Sequence, residues 1–294
     1  MHIILHAGAH ATDENRLVQC LLKNSEHLDA IGTVVPDPES YRNVLRDAIA
    51  DATGGRASTN AMAEAGDSLR RILSPAGAVD RLVISNDSFF GTHKMAVKRM
   101  FYPASCARLE ALRQLLPDDT IELFFAVRNP ATFMPALLEI TNYNAIEDLF
   151  RGYDPLSFRW SELFERIRAQ IPDIPITVWC NEDTPLIWAE LIREMGGLDP
   201  TQEIEGEFDL LEEIMTEAGM KRFRTYIQGH PGMTEVQKRR VIAAFLDKFV
   251  DEDAVEEEYE LEGWTDHLID QMTELYEEDV FNIPRVPGVT LITP

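Results

Sequence analysis

The sequence predicts a three-layer α/β fold with a mostly parallel sheet of about five strands and a helical C-terminal extension. Three observations carry that expectation. Short apolar runs recur through the first 180 residues, as strands buried on both faces of a sheet require. Amphipathic stretches of helical length separate them, and strand–helix–strand alternation marks the crossovers of a parallel sheet. Beyond Glu182 the pattern is almost wholly helical. The expected division is therefore an α/β domain over residues 1–200 and an acidic helical extension over residues 201–294, packed on the same domain.

In chain order, Ile3, Ile4 and Leu5 form the first buried strand. Gly8 permits a tight turn, and Thr12 is the expected N-cap of a helix through Leu17, Val18, Leu21 and Leu22. Residues 32–35 read as a second short strand, closed by Pro36 and Pro38. Residues 39–51 carry Tyr41, Val44, Leu45, Ala48 and Ile49 on one helical face. Residues 60–73 form another amphipathic helix after the breaker Thr53-Gly54-Gly55. The third strand, residues 81–85, runs into the polar turn Asn86-Asp87-Ser88. A helix over residues 104–116 stops at Pro117, and residues 120–127 are the longest strand candidate, ending in Arg128-Asn129-Pro130. Helices are expected to about Phe150 and over residues 154–171, then a fifth strand over 175–179. Helical spacing returns over residues 209–228, 234–250 and 264–276, and residues 288–292 read as a terminal strand or an extended tail. Trp264, Leu268, Met272, Leu275 and Tyr276 share one face, which suits core or a homodimer seam. Residues 251–262, eight of them acidic, read as a solvated helix or linker face.

Charge restricts the partners. The chain of 294 residues has 27 Lys plus Arg against 51 Asp plus Glu, a formal charge of −24, and neutralising nucleic-acid phosphates needs the opposite sign. The imbalance is uneven. Residues 1–150 carry 14 basic and 19 acidic residues, residues 151–294 carry 13 and 32, so the N-terminal half is the better host for an anionic ligand. Three scattered cysteines without a CxxC suit reduced thiols in a cytoplasm. No apolar stretch reaches the roughly 20 residues that span a bilayer, and the N-terminus lacks the basic segment of a signal peptide. A cytoplasmic protein without a membrane partner is expected.

In a parallel sheet, ligands sit beyond the carboxyl ends of the strands. The residues leaving those ends are 6–15, 85–88, 128–129 and 181–183. The first group joins a strand, a small-residue loop and a helix start, an architecture that aims free N–H groups and a helix dipole at an anion. Asp13 and Glu14 lie where that anion would sit. A facing carboxylate about 4 Å away opposes it by roughly 4 kcal/mol, more than the dipole supplies. Successive helical residues turn by about 100°, so the two do not both face the loop. The Walker pattern started at Gly8 would end on Asp13, Glu14 and Asn15, which excludes that phosphate chemistry. Arg128, directly after an apolar strand, demands an anion or a carboxylate such as Asp87 or Glu182. His6 and His10 are four apart without the Glu of an HExxH helix, so no metal site is expected. Lys94, Lys98 and Arg99 form a basic cluster, either the mouth of an anion site or a solvated face.

His6-Ala-Gly-Ala-His10-Ala-Thr12 resembles the phosphosulfate loop of the PAPS-dependent sulfotransferases, a family of P-loop-like fold. Arg128-Asn129-Pro130 resembles that family's 3′-phosphate motif, and residues 179–186 are similar to its Tyr-Glu-Asp-Leu turn. The three matches occur in the family's order over about the first 190 residues. The resemblance implies PAPS as cofactor, held by Gly8, His10, Thr12, Asn15, Arg16 and Arg128. It implies transfer of a sulfuryl group to a small-molecule hydroxyl or amine acceptor, with His10 or Asp87 as catalytic base and His93 a further candidate. The departures are specific. The loop Lys falls at Ala11, the loop Gly at Asp13, the paired hydroxyls at Glu14 and Asn15, and the 3′-phosphate Ser at Ala136. The alternative they leave is a non-catalytic relative that acts as a binding or scaffolding module.

Overall fold

The apolar run at the N-terminus becomes β1 (His2–His6), which sits inside a sheet completed by β2 (Thr33–Val34), β3 (Arg81–Ser85), β4 (Thr120–Val127), β5 (Ile176–Cys180) and β6 (Val289–Ile292). A computed structural model of the chain describes residues 1–55, 58–74, 79–143, 145–255 and 261–294. The strand order is β2-β3-β1-β4-β5-β6, and every pairing is parallel. The expectation of about five strands is corrected to six. Residues 288–292, open between strand and tail, supply the extra edge, with Val289 opposite Ile176.

Side chains alternate across each strand. Ile3, Leu5, Leu82, Ile84, Leu123 and Phe125 face a large core closed by the helices Pro38–Thr53, Thr59–Leu73, Ser105–Leu115 and Trp160–Gln170. Ile4, Val83, Phe124 and Trp179 face a second core closed by Arg16–Lys23 and Thr184–Gly196. Helices therefore cover both faces. Gly66 permits one close approach there: a Cβ on it would lie 2.2 Å from the Leu115 carbonyl oxygen.

Several boundaries differ from expectation, each for a local reason. The first long-loop helix starts at Arg16 with Asn15 at its cap, not at Thr12, because Ala11, Glu14 and Asn15 take left-handed φ values of 53°, 49° and 69°. The helix after β4 ends at Glu139, where Thr141 turns its N–H and hydroxyl back onto the Leu138 carbonyl, each at 3.1 Å. Residues 209–228 divide into Asp209–Ile214 and Glu217–Gly229, because Thr216 accepts the Gly219 N–H and caps the second helix. Val44 proves 37 % exposed, beside buried Tyr41, Leu45 and Ile49.

The C-terminal third has two parts. Residues 209–250 build a small core of their own around Leu211, Met215, Phe223 and Ile242. The helix Asp266–Asn282 belongs to the main body: Trp264, Met272 and Tyr276 are buried in the chain's own large core. Its Asp279 is 3 % exposed and accepts the N–H groups of Trp160 and Ser161, at 2.5 and 3.2 Å, plus the Ser161 hydroxyl. The start of the helix Trp160–Gln170 is thus capped by a residue more than a hundred positions away. Of the acidic run 251–262, residues 252–255 are helical and 256–260 lie outside the described residues. Among the described residues no helix is long and apolar enough to cross a membrane.

Candidate functional site

The sheet's connections diverge at β1. The chain leaves β1 toward β2 and β3 on one side, then crosses to β4 on the other. The carboxyl end of β1 lies at that divergence, the place where open parallel sheets form a crevice. The chain stays attached to β4 for a few residues, with Ala7 and Ala9 N–H donating to Phe124 and Ala126 carbonyls and Ala126 N–H returning to Gly8. Gly8 has φ 111°, and a Cβ there would sit 3.1 Å from His10 N and 3.3 Å from the Asp87 carbonyl oxygen. Only glycine fits that turn without displacement.

From Ala11 onward the loop changes character. No acceptor among the described residues bonds the backbone N–H of Ala11, Thr12, Asp13, Glu14 or Asn15. Left-handed residues within such a run let successive N–H groups form an anion-binding concavity. Of the two acids expected to obstruct it, Asp13 stays at the helix entrance and Glu14 turns outward. Asp13 is buried and accepts the Leu17 N–H at 3.3 Å, inside the first helical turn. Glu14 is exposed and pairs with Arg16 at 3.2 Å. Thr12 donates its hydroxyl to the Ala9 carbonyl at 2.7 Å, a bond within the loop.

Three arginines lie near this loop in different circumstances. Arg16, a candidate ligand, is drawn outward: its Nε is 2.6 Å from Glu213 and its Nη2 3.2 Å from Glu14. Arg128 is 6 % exposed, donating from Nη1 to the Ala11 carbonyl at 2.6 Å and from Nε to the Thr132 hydroxyl at 3.1 Å. The expected carboxylate Glu182 instead accepts the Asn129 N–H at 2.7 Å and the Tyr276 hydroxyl at 2.9 Å. Arg42 escaped the sequence reading. From the helix Pro38–Thr53 it donates Nε to the Ser85 carbonyl at 2.9 Å and Nη2 to Asn15 Oδ1 at 2.7 Å. Its neighbour Tyr41 anchors the same spot, trading hydrogen bonds with the Ser85 backbone at 2.7 and 2.9 Å. The one sequence signal was an arginine next to a buried tyrosine on a helix.

His10, Asp87 and His93 come together. His10 is fully buried; its N–H donates to Tyr102 Oη at 3.0 Å, and Nδ1 lies 2.8 Å from the same oxygen. The His93 ring is 4.6 Å away between centroids. Burial and the adjacent His93 hold the His10 imidazole down at about 4, although the Asp87 carboxylate and the Gly91 carbonyl favour its charged form. The ring is therefore neutral at pH 7. Burial, opposed by its hydrogen bond to His10, pushes the Tyr102 phenol far up, so the pair is a neutral hydrogen-bonded unit. Asp87 is half-buried and nearer to solvent.

The remaining strand ends are structural in character. Burial, Glu182 and Cys180 raise the Tyr276 phenol, tying the last long helix to the end of β5. Ala136, at the position of the expected phosphate-binding serine, is buried among apolar neighbours of its helix. In the basic cluster, Lys94 lies 5.0 Å from the Tyr143 ring centre. Among the described residues no group of three His, Cys, Asp or Glu is arranged to hold a metal ion. Compared with known proteins, the chain matches no protein-family model, no curated protein and no solved structure.

Proposed function

We propose that the chain is a sulfotransferase-like protein of P-loop-like fold that binds PAPS at the loop after β1 and transfers its sulfuryl group to a small hydroxyl or amine acceptor. The observation that carries this reading is the run of unbonded N–H groups from Ala11 to Asn15, flanked by the Arg42 and Arg128 guanidiniums at the carboxyl ends of the strands. In such a reaction the acceptor oxygen or nitrogen attacks sulfur, the S–O bond to the phosphate breaks, and a base takes the acceptor proton. Asp87 is the better placed base, since His10 is enclosed and weakly basic. Three free, unbridged cysteines and the net charge of −24 suit a cytoplasmic protein without nucleic-acid or membrane partners.

A second reading has its own observation. Arg128 already holds the Ala11 carbonyl and His10 is locked to Tyr102, so the loop is fastened from within. That favours a non-catalytic binding or scaffolding module of the same fold. Calorimetric titration with PAP, the desulfonated product, separates the two. Saturable binding that Arg128→Ala abolishes supports the enzyme; no heat and no thermal shift at millimolar PAP leaves the module.

A further inference from the structure

We propose that Arg42 is the cation of an oxyanion site at the carboxyl ends of β1 and β3, binding a terminal phosphate or sulfate group. The inference deepens the PAPS-site reading and rests on the same loop, yet stands on its own observations. The first is the state of the arginine. In a chain of net charge −24, Arg16 is neutralised by two carboxylates, whereas both hydrogen-bond partners of Arg42 are neutral: the Ser85 carbonyl and the Asn15 amide oxygen. Among the described residues no carboxylate pairs with it. Its guanidinium retains further N–H donors and an uncompensated charge.

The second observation is location. Asn15, one anchor, ends the run of unbonded loop N–H groups, and Ser85, the other, ends β3. The arginine fork and the loop donors thus border the same crevice. The third is independent of both. His6, fully buried at the end of β1, shares a 3.0 Å hydrogen bond with the Ser85 hydroxyl, while its Nε2 has no hydrogen-bond partner. With Nδ1 accepting from the Ser85 hydroxyl, Nε2 carries the proton and is a buried donor without an acceptor at the strand end that Arg42 also reaches. A tetrahedral oxyanion suits the donor set: two oxygens match the planar fork and the others remain for the loop.

The test is calorimetric titration of the full chain with inorganic pyrophosphate and with sulfate, at low and high salt. Wild type is expected to bind pyrophosphate saturably and more weakly as salt rises. Arg42→Gln is expected to weaken binding at least about tenfold and Arg42→Lys less. Arg46→Gln, an exposed arginine paired with Asp47 on the same helix, serves as the control and stays at wild-type affinity. Absence of pyrophosphate binding to wild type, or equal binding by Arg42→Gln, overturns the inference. If Arg42→Gln fails to fold, phenylglyoxal modification of wild type decides: pyrophosphate must protect Arg42, read by mass spectrometry, and unprotected modification overturns the proposal. Pyrophosphate binding that depends on Arg42 without PAP binding removes the PAPS reading and keeps this one. PAP binding unchanged in Arg42→Gln does the reverse.

Discussion

His10 was singled out in the sequence as a ligand and a base, and the structure gives it a more constrained chemistry. Its ring lies against Tyr102 and His93 under full burial, and its folded pKa is about 4. Unfolded, the ring titrates near 6.5. Between those values the unfolded chain binds more protons, so stability rises as pH climbs from about 4 to about 6.5 and is lost as pH falls through that window. At about 1.4 kcal/mol per pKa unit the contribution is on the order of 3 kcal/mol. Urea unfolding of wild type and His10→Gln across pH 7 to 4.5 checks it: the wild-type slope should be steeper, and parallel curves would count against it. Arg42 teaches a complementary lesson. It looked like any surface cation on an amphipathic helix, and only the approach of that helix to the end of β3 revealed its neutral partners.

At the level of elements, capping decides more than propensity. The helix Trp160–Gln170 follows Arg159, which offers no side-chain cap, and is started instead by Asp279 from another helix. Asp279→Ala leaves two backbone N–H groups and a hydroxyl without an acceptor in a buried site. The expected cost is about 3 kcal/mol, with Asp279→Asn milder. Equilibrium denaturation measures it, and a loss below about 1 kcal/mol would refute the remote cap. The same principle explains the displaced start of the helix Arg16–Lys23. Thr12 donates its hydroxyl to Ala9, and Asp13, two residues ahead of the cap, accepts the Leu17 N–H and so holds a carboxylate at the helix entrance.

For the whole molecule, β6 makes the C-terminus part of the sheet. It covers one edge of β5, a strand buried along its whole length, and adds Val289 and Ile292 to the two cores. Deleting residues 289–294 should lower stability by about 3 kcal/mol for the two buried side chains and expose a ready-made pairing edge. Denaturation combined with light scattering tests both effects: unchanged stability and a monodisperse product would show that the edge strand is dispensable.

Much of the fold was legible because buried parallel strands are short apolar runs: residues 81–85 and 120–127 coincide with β3 and β4. The polar strand-end residues of the candidate site were legible for the same reason, since strand ends can be read off the same runs. What sequence alone determined is therefore local: where strands and helices form, which face of each is apolar, and how strongly acidic the chain is. Tertiary structure decided the strand order, the sixth strand, the remote Asp279 cap, the outward turn of Arg16 and the inward reach of Arg42. The physical reason is that periodicity reports burial, whereas a hydrogen-bond partner depends on which elements meet in space. Ser85 and Arg42 are 43 residues apart in sequence and 2.9 Å apart in the fold.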